Sequence, residues 1–366
     1  MSRAVEPGRL LARDSSQGFV EPLREEREDV PLKDLIAPLD SMPPVDFAFA
    51  YGSGVFTQAL HSRARSNEAP MVDYILGVSS PVDWHVKNLE QNPRHYSSWL
   101  TWFGGRGVSN VAENLGAGVH FNAFVPWKDK KIKYGVISVD NLVKDVYTWQ
   151  RLYIGGRLQK PVRFLVDRIH GEEMNRKNLQ AALTAALLLL PPEFTEEDLY
   201  ATICGLSYMG DVRMLFAEDK HKVRKIVQGS SSLFQDLYRE PINKYASRDI
   251  LHPPEAFSSD LKSRFKQDGR ISTKYLLLSS LPACVLQRLA RHTGTLYDST
   301  IPANMAIAKA VVNSKEGPAK LVTKAVSSIV RTSSFRQMLS GLLAAGGVNA
   351  MQYVGRKMSK AWQSRQ

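Results

Sequence analysis

The pattern of apolar and polar positions changes character twice along the chain. The first 30 or so residues, with the run Glu25-Glu26-Arg27-Glu28-Asp29, are polar throughout and predict a disordered segment or a weak presequence. From Phe47 the pattern becomes strand-like. Phe47–Tyr51 is an apolar run stopped by Gly52-Ser53-Gly54, Val55–Arg65 reads as a short helix, and Met71–Val78, after Pro70, reads as a second strand. Val119–Val125 and Ile132–Val139 predict an antiparallel pair joined by a polar turn at residues 127–131. Asn141–Tyr153 predicts a helix with Asp140 at its N-cap and Gly155-Gly156 behind it, and Val162–Val166 a further strand.

Between residues 168 and 178 the pattern shifts to a helical period. Asn178–Leu190 runs into Pro191-Pro192, and Thr195-Glu196-Glu197-Asp198 resembles a capping box that uses Asp in place of Glu. Segments around His221–Val227, Ser231–Tyr238, Tyr275–Ala290 and Met305–Asn313 continue it. The expected class is α+β: a sheet-containing domain over residues 31–175, a mostly helical one over 176–316, and a tail over 317–366. A length of 366 residues suits two or three domains. With 43% hydrophobic and 23% charged residues, global disorder is excluded.

Two cysteines, Cys204 and Cys284, exclude a disulfide scaffold and any cysteine-built zinc site. The longest apolar run, Ala181–Leu190, is too short to cross a bilayer of ~30 Å. Gln337–Gly355 carries no charge, but its polar residues and the pair Gly346-Gly347 argue against a span. The N-terminus holds Arg3, Arg9 and Arg13, as an organellar presequence does, with Glu6 and Pro7 against that reading.

Charge changes the picture at the other end. The net charge is +12, and after Glu316 the chain has eight basic residues and no acidic one. Leu321, Val322, Ala325, Val326, Ile329 and Val330 fall on one helix face, which Phe335, Met338, Leu339, Leu342 and Leu343 continue. A basic helix with an apolar face fits an anionic membrane surface. A helix packed on the core with a solvated basic side has the same pattern. Nucleic acid is the rival partner for such charge and is not expected here.

Several strong motifs are missing: GxxxxGK[ST], HExxH, GxSxG and CxxC. What remains is strand, Gly52-Ser53, helix, strand, Asp73. A glycine-serine turn leading into a helix offers N–H groups and a hydroxyl to a nucleotide's β/γ-phosphates. An acid on the neighbouring strand can hold the magnesium bound to them. On Met71–Val78, Val72, Tyr74, Leu76 and Val78 share one face, and Asp73 sits on the other with Met71, Ile75 and Gly77. Such an acid needs a cation partner, unless the strand is an edge and the acid faces water.

These residues carry a resemblance. Phe47 to Phe56 and Met71 to Val78 resemble the mitochondrial phosphatidate cytidylyltransferase (CDP-diacylglycerol synthase) family, of the translocator assembly and maintenance type. The likeness continues through Trp84-His85, Asn88, Asn92-Pro93, His95-Tyr96-Ser97, Lys133 to Ile137 with Asp140, and Gly156 to Val162. It extends to Leu190-Pro191-Pro192-Glu193-Phe194 and Leu206 to Arg213, spanning about residues 45–240. The resemblance implies a nucleotidyltransferase-fold domain followed by a winged-helix-like helical domain. It implies Mg²⁺-dependent transfer of CMP from CTP to phosphatidic acid, releasing pyrophosphate, by a peripheral protein on the matrix side of the mitochondrial inner membrane.

The broader nucleotidyltransferase superfamily has Asp-x-Asp/Glu on the strand; here the second position is Ile75. The expected metal ligands are therefore Asp73 and, from just after the strand Ile132–Val139, Asp140, with Asp167 as the weaker alternative. Gly52, Ser53, Gly54, Arg157 and Lys160 are expected to bind the nucleotide, with Lys160 also helping to neutralise the leaving pyrophosphate. His85, His95 and His120 are expected to hydrogen-bond inside the site or the core, because the acceptor phosphate is already ionised and needs little general-base help. A nucleotidyltransferase acting on RNA or protein, and a non-catalytic membrane-associated scaffold, are the alternative readings.

Overall fold

The computed structural model describes residues 30–52, 54–56, 71–128, 130–216, 222–257, 260–295 and 301–345. The expectations for residues 1–29, for Ser53, for most of the helix Val55–Arg65 and for the chain after 345 lie outside them. The first unit runs α1 (Leu32–Ile36), β1 (Phe47–Tyr51), β2 (Val72–Val78), α2 (Pro81–Gln91) and α3 (Ser98–Asn110). It continues with β3 (Val119–Trp127), β4 (Lys130–Ser138), α4 (Val139–Thr148), α5 (Gly155–Leu158) and β5 (Arg163–Asp167). Its five strands form one mixed sheet in the order β3-β4-β2-β1-β5, in which only β2 and β4 are parallel.

All five residues of β1 are buried, because it lies inside the sheet and both faces are covered. Ala48, Ala50, Tyr74, Leu76 and Tyr134 pack under Trp84 of α2 on one side. Phe47, Phe49, Tyr51, Ile75 and Ile137 pack under Leu142 of α4 and Met174 on the other. The period of two in Met71–Val78 thus separates two cores, and Asp73 belongs to the second side, as the pattern predicts.

The second unit is α6 (Gly171–Leu189), β6 (Glu193–Thr195), α7 (Glu196–Leu206), α8 (Arg213–Phe216), α9 (Lys222–Gln228) and α10 (Ser231–Ala246). Then follow β7 (Leu251–His252), β8 (Arg264–Gln267), α11 (Ile271–Ser279), α12 (Ala283–Thr293), α13 (Ala303–Val312) and α14 (Pro318–Ala345). The capping box is real: Thr195 Oγ1 accepts from Asp198 N–H, and Asp198 Oδ2 accepts from Thr195 N–H. Three expectations are corrected. The helix expected over Asn141–Tyr153 is α4, which starts two residues earlier, is capped by Ser138 rather than Asp140, and ends at Trp149 in the left-handed region. Tyr275–Ala290 is two helices, broken before Pro282, which lacks the N–H to continue. A small sheet, β6-β8-β7, was not predicted, since strands of two to four residues leave no readable alternation.

The third correction concerns the tail. Leu321, Val322, Ala325, Val326, Ile329 and Val330 do not form a free face: all six are at most 3% exposed and pack in one core with α6, α7 and α12. Further along, Gln337 accepts from Ala117 N–H at 3.2 Å and donates to Val119 O, tying α14 to the first unit. Only Phe335, Met338, Leu339, Leu342 and Leu343 remain exposed.

Candidate active site

The end of β1 and the start of β2 build one wall. Gly52 has φ +90°, a conformation that glycine adopts freely, and its carbonyl accepts from Val55 N–H at 3.1 Å. A Cβ on Gly54 would meet Met71 O at 2.7 Å, so the turn also needs glycine there. The register pairs Tyr51 with Asp73 and Asp73 with Lys133. Asp73 Oδ2 lies beside the glycine turn, 3.4 Å from where a Cβ of Gly52 would stand, and Lys133 Nζ approaches Asp73 Oδ1 at 3.3 Å. Lys133 also stands over the Phe121 ring at 4.6 Å.

The opposite wall comes from α5 and α7. Arg157, half-buried, stacks on Tyr51 with 4.3 Å between guanidinium and ring centre. Lys160, only 5% exposed, donates to Gly156 O at 2.5 Å and Ser207 Oγ at 2.7 Å. Its ammonium and that of Lys222 lie 5.1 and 5.3 Å from the Tyr208 ring. Burial, with the charges of Arg157 and Lys222, lowers the Lys160 pKa to about 7. Among the described residues, no carboxylate forms an ion pair with Arg157 or Lys160, whereas Arg213 at the same pocket is held by Asp211 at 2.6 Å. A buried amine without a counter-ion is costly, and an anion entering the pocket relieves that cost.

One residue that sequence reasoning missed holds this wall. Asp145, 2% exposed, accepts from five successive N–H groups, those of Arg151 through Gly155, at 2.7–3.1 Å. Asn178 of α6 adds Trp149 Nε1 and Gly155 O, and Asn175 adds Leu158 O. The irregular stretch 149–155 is therefore a rigid strap that delivers Arg157 and Lys160. The available signal was electrostatic: an acid in the last turn of a helix opposes the helix dipole and needs donors from elsewhere. Lys133, level with Asp73 on β4, is a second residue that sequence reasoning missed. Its signal is the register, since the residue opposite a strand acid is the natural cation.

The structure brings Gly52, Gly54, Asp73 and Arg157 together, since Arg157 stacks on Tyr51 and Tyr51 pairs with Asp73, and it sets Lys160 beside Arg157, but it does not bring Asp140 there. Lys133 is level with Asp73, and Asp140 comes after β4 has run five residues further, on the order of 17 Å along the strand. Exposed in the first turn of α4, Asp140 suits the positive end of that helix. Asp167 is also excluded: it pairs with Phe47 at the far end of the sheet and accepts from Gly171 N–H at 2.6 Å and Glu172 N–H at 3.1 Å. Ile75, two residues after Asp73, is buried among apolar side chains. His85, His95 and His120 sit on the other side of the sheet in a buried network. Tyr134 OH accepts from Asn88 and Asn122 and meets His95 Nδ1 at 2.9 Å, and His85 Nδ1 meets Tyr96 OH at 2.8 Å. Burial lowers the pKa of all three histidines, that of His120 to about 4.

A glycine turn, an adjacent acid and a wall of cations lacking counter-ions are the equipment of an enzyme that handles phosphorylated substrates. The comparisons fix the family. The family described as mitochondrial phosphatidate cytidylyltransferase matches residues 32–360. Proteins named "Phosphatidate cytidylyltransferase, mitochondrial" are similar over most of the chain. The Danio rerio protein is 37% identical over 325 residues, covering 87% of this chain and 92% of the relative. The Mus musculus protein is 38% identical over 322 residues (87% and 91%), and the Schizosaccharomyces pombe protein 35% over 324 (87% and 80%). The chain belongs to the mitochondrial phosphatidate cytidylyltransferase family.

Proposed function

We propose that this protein transfers CMP from CTP to phosphatidic acid, forming CDP-diacylglycerol and pyrophosphate, at the cleft between the Gly52 turn and Lys160. The observation that supports the placement is the buried Lys160 amine beside Arg157, neither paired with a carboxylate among the described residues, with Arg157 stacked on Tyr51, the strand partner of Asp73. A phosphate oxygen of phosphatidate attacks the α-phosphorus of CTP, and the bond from that phosphorus to the β-phosphate oxygen breaks. Arg157 and Lys160 receive the charge that builds on the leaving pyrophosphate. The N–H groups of the Gly52 turn hold the triphosphate, while Lys133 keeps Asp73 oriented.

Mg²⁺ fits these residues only as a shared ion. Among the described residues there is no group of three or more His, Cys, Asp or Glu side chains that could hold a metal. Asp73 plus triphosphate oxygens is the donor set that magnesium accepts, with water filling the rest. Bound there, it would neutralise phosphate charge and polarise the α-phosphorus.

The first unit is best read as a nucleotidyltransferase-fold domain over residues 31–175. The second, over 176–316, is best read as winged-helix-like, with the three-stranded sheet beside α7 as the supporting feature. A place on the matrix side of the mitochondrial inner membrane is part of the proposal, supported by the mitochondrial naming of the relatives. Among the described residues no helix is long and apolar enough to cross a membrane. The exposed residues of α14 from Phe335 to Leu343, flanked by Arg331 and Arg336, are the surface proposed to rest on anionic lipid. Incubation with labelled CTP, Mg²⁺ and phosphatidate, followed by organic extraction, tests the reading. Label in the lipid phase is expected; label on RNA or protein would replace it with another nucleotidyl transfer, and no label anywhere would leave a scaffold.

A further inference from the structure

We propose a second anion site, for a phosphate group, in the cleft between α6, α10 and α11. The cleft has a volume of about 200 Å³, and Lys177, Lys244 and Arg248 line it without an acidic residue. Its floor is closed by the 2.6 Å hydrogen bond between Thr184 Oγ1 and Tyr245 OH. Gln180 also lines it, and the amide nitrogen of that side chain is shut off from solvent with no hydrogen-bond partner. A donor in that condition is a standing cost, and a turn of the Gln180 side chain into the cleft would let a bound oxyanion remove it.

Among the described residues these three cations form no ion pair. Nearby acids are engaged elsewhere: Glu240 with Arg176 at 3.6 Å, and Asp249 with His252 at 3.6 Å and Arg270 at 3.8 Å. Basic residues at a helix C-terminus often answer its open carbonyls. Here those carbonyls are already taken. Ser247 N–H and Oγ serve Asn243 O and Lys244 O, Arg248 and Ile250 N–H serve Tyr245 O, and Asp249 N–H serves Ala246 O. Lys177 has only the face of Tyr147, at 5.3 Å. Like charges facing one another across a cleft raise its potential and draw in an anion.

The site is separate from the catalytic cleft, although both use α6. Asn175 and Asn178 point from that helix to the strap before Arg157, while Lys177, Gln180 and Thr184, spaced three and four apart, face the second cleft. The volume exceeds the ~30 Å³ of a water severalfold, leaving room for a phosphate ester as well as free phosphate. Leu276, 46% exposed at the lip, would lie against the organic part of an ester.

The test uses the full chain carrying Lys160→Ala, so that the catalytic cleft does not contribute. Equilibrium dialysis against labelled inorganic phosphate is compared with and without Lys244→Ala plus Arg248→Ala, and separately with Gln180→Leu. Flotation with phosphatidylcholine vesicles containing phosphatidylglycerol forms the second arm. The expected result is phosphate binding weakened about tenfold or more by the double substitution, as for the loss of a charge-assisted hydrogen bond, and also weakened by Gln180→Leu. If only vesicle binding falls in both variants, the phosphate is a lipid headgroup. Binding of both probes unaltered in the double variant overturns the site. So does a loss that Gln180→Leu does not share, since net charge alone would then account for it.

Discussion

Binding of CTP should pull a proton onto Lys160. In the free protein, burial and the charges of Arg157 and Lys222 move this amine from 10.5 to about 7. At about 1.4 kcal/mol per pH unit, that favours the neutral form by on the order of 5 kcal/mol. A triphosphate beside the amine supplies the missing counter-charge and restores the ordinary preference for the ammonium. At about pH 8.5 the nucleotide is fully ionised and free Lys160 is almost wholly neutral, so binding should take up about one proton. Calorimetric titration with CTP·Mg²⁺ in two buffers of different ionisation enthalpy reads this directly. Lys160→Arg, whose side chain stays charged, should abolish the uptake. The same amine fixes a stability trend: between about pH 7 and 10.5 the unfolded chain holds this proton and the folded chain does not, so the contribution of Lys160 to stability rises with pH. In turnover, kcat/KM for CTP should fall above about pH 7, since that ratio reports the free enzyme. A binding enthalpy independent of buffer would refute both the depressed pKa and the placing of phosphates at this wall.

Asp73→Asn should lower turnover ~100-fold or more through loss of the charge facing the nucleotide, whereas Asp140→Asn should leave kcat unchanged and shift stability by less than about 1 kcal/mol; steady-state assays and thermal melts of both variants check this. Asp145→Ala leaves five N–H groups without their acceptor and should cost at least about 3 kcal/mol, read as a lower urea midpoint. Ile329→Ala, in the core, should cost about 2–5 kcal/mol; Phe335→Ser with Leu342→Ser should leave the melting temperature nearly unaltered but reduce flotation with anionic vesicles. His85, His95 and His120 are held neutral by burial, so below about pH 6.5 the unfolded chain gains protons that the folded chain refuses. Stability should fall as pH drops from there toward about 4, and His120→Gln should flatten that dependence in melts across the range.

The fold was most legible where one residue type repeats at a fixed interval. Val72, Tyr74, Leu76 and Val78 alternate with Asp73, Ile75 and Gly77, and that alternation places both cores of the sheet. The Thr195 cap was legible because its chemistry is local, within four residues. Legibility failed where the decisive partner is distant. Leu321 to Val330 form an apolar helix face whichever surface receives them. That the surface is α6 and α12 rather than lipid depends on contacts with elements outside the helix itself, α6 lying more than a hundred residues away. Charge alone is not decisive in the same region: of the eight cations after Glu316, Lys320 and Lys324 both pair with Glu316 itself.

The candidate site shows the same division between near and far. Gly52, Asp73, Arg157 and Lys160 could be named because each sits at an element boundary or in a short quoted block. For Asp140, a position just after a strand does not amount to nearness to Asp73. In a sheet, nearness is decided by register and direction: β4 runs parallel to β2, so the residue level with Asp73 is Lys133, and each later position on β4 moves away from the turn. Among the described residues the site therefore has one strand carboxylate partnered by a lysine. A single acid binds a divalent ion weakly by itself, so on the proposed reading the nucleotide's own oxygens would have to complete the Mg²⁺ site. It follows that Mg²⁺ and CTP should bind together and poorly apart, and that the affinity of Asp73→Asn for CTP should depend little on Mg²⁺. Tight Mg²⁺ binding without nucleotide would mean that a second carboxylate reaches Asp73 after all.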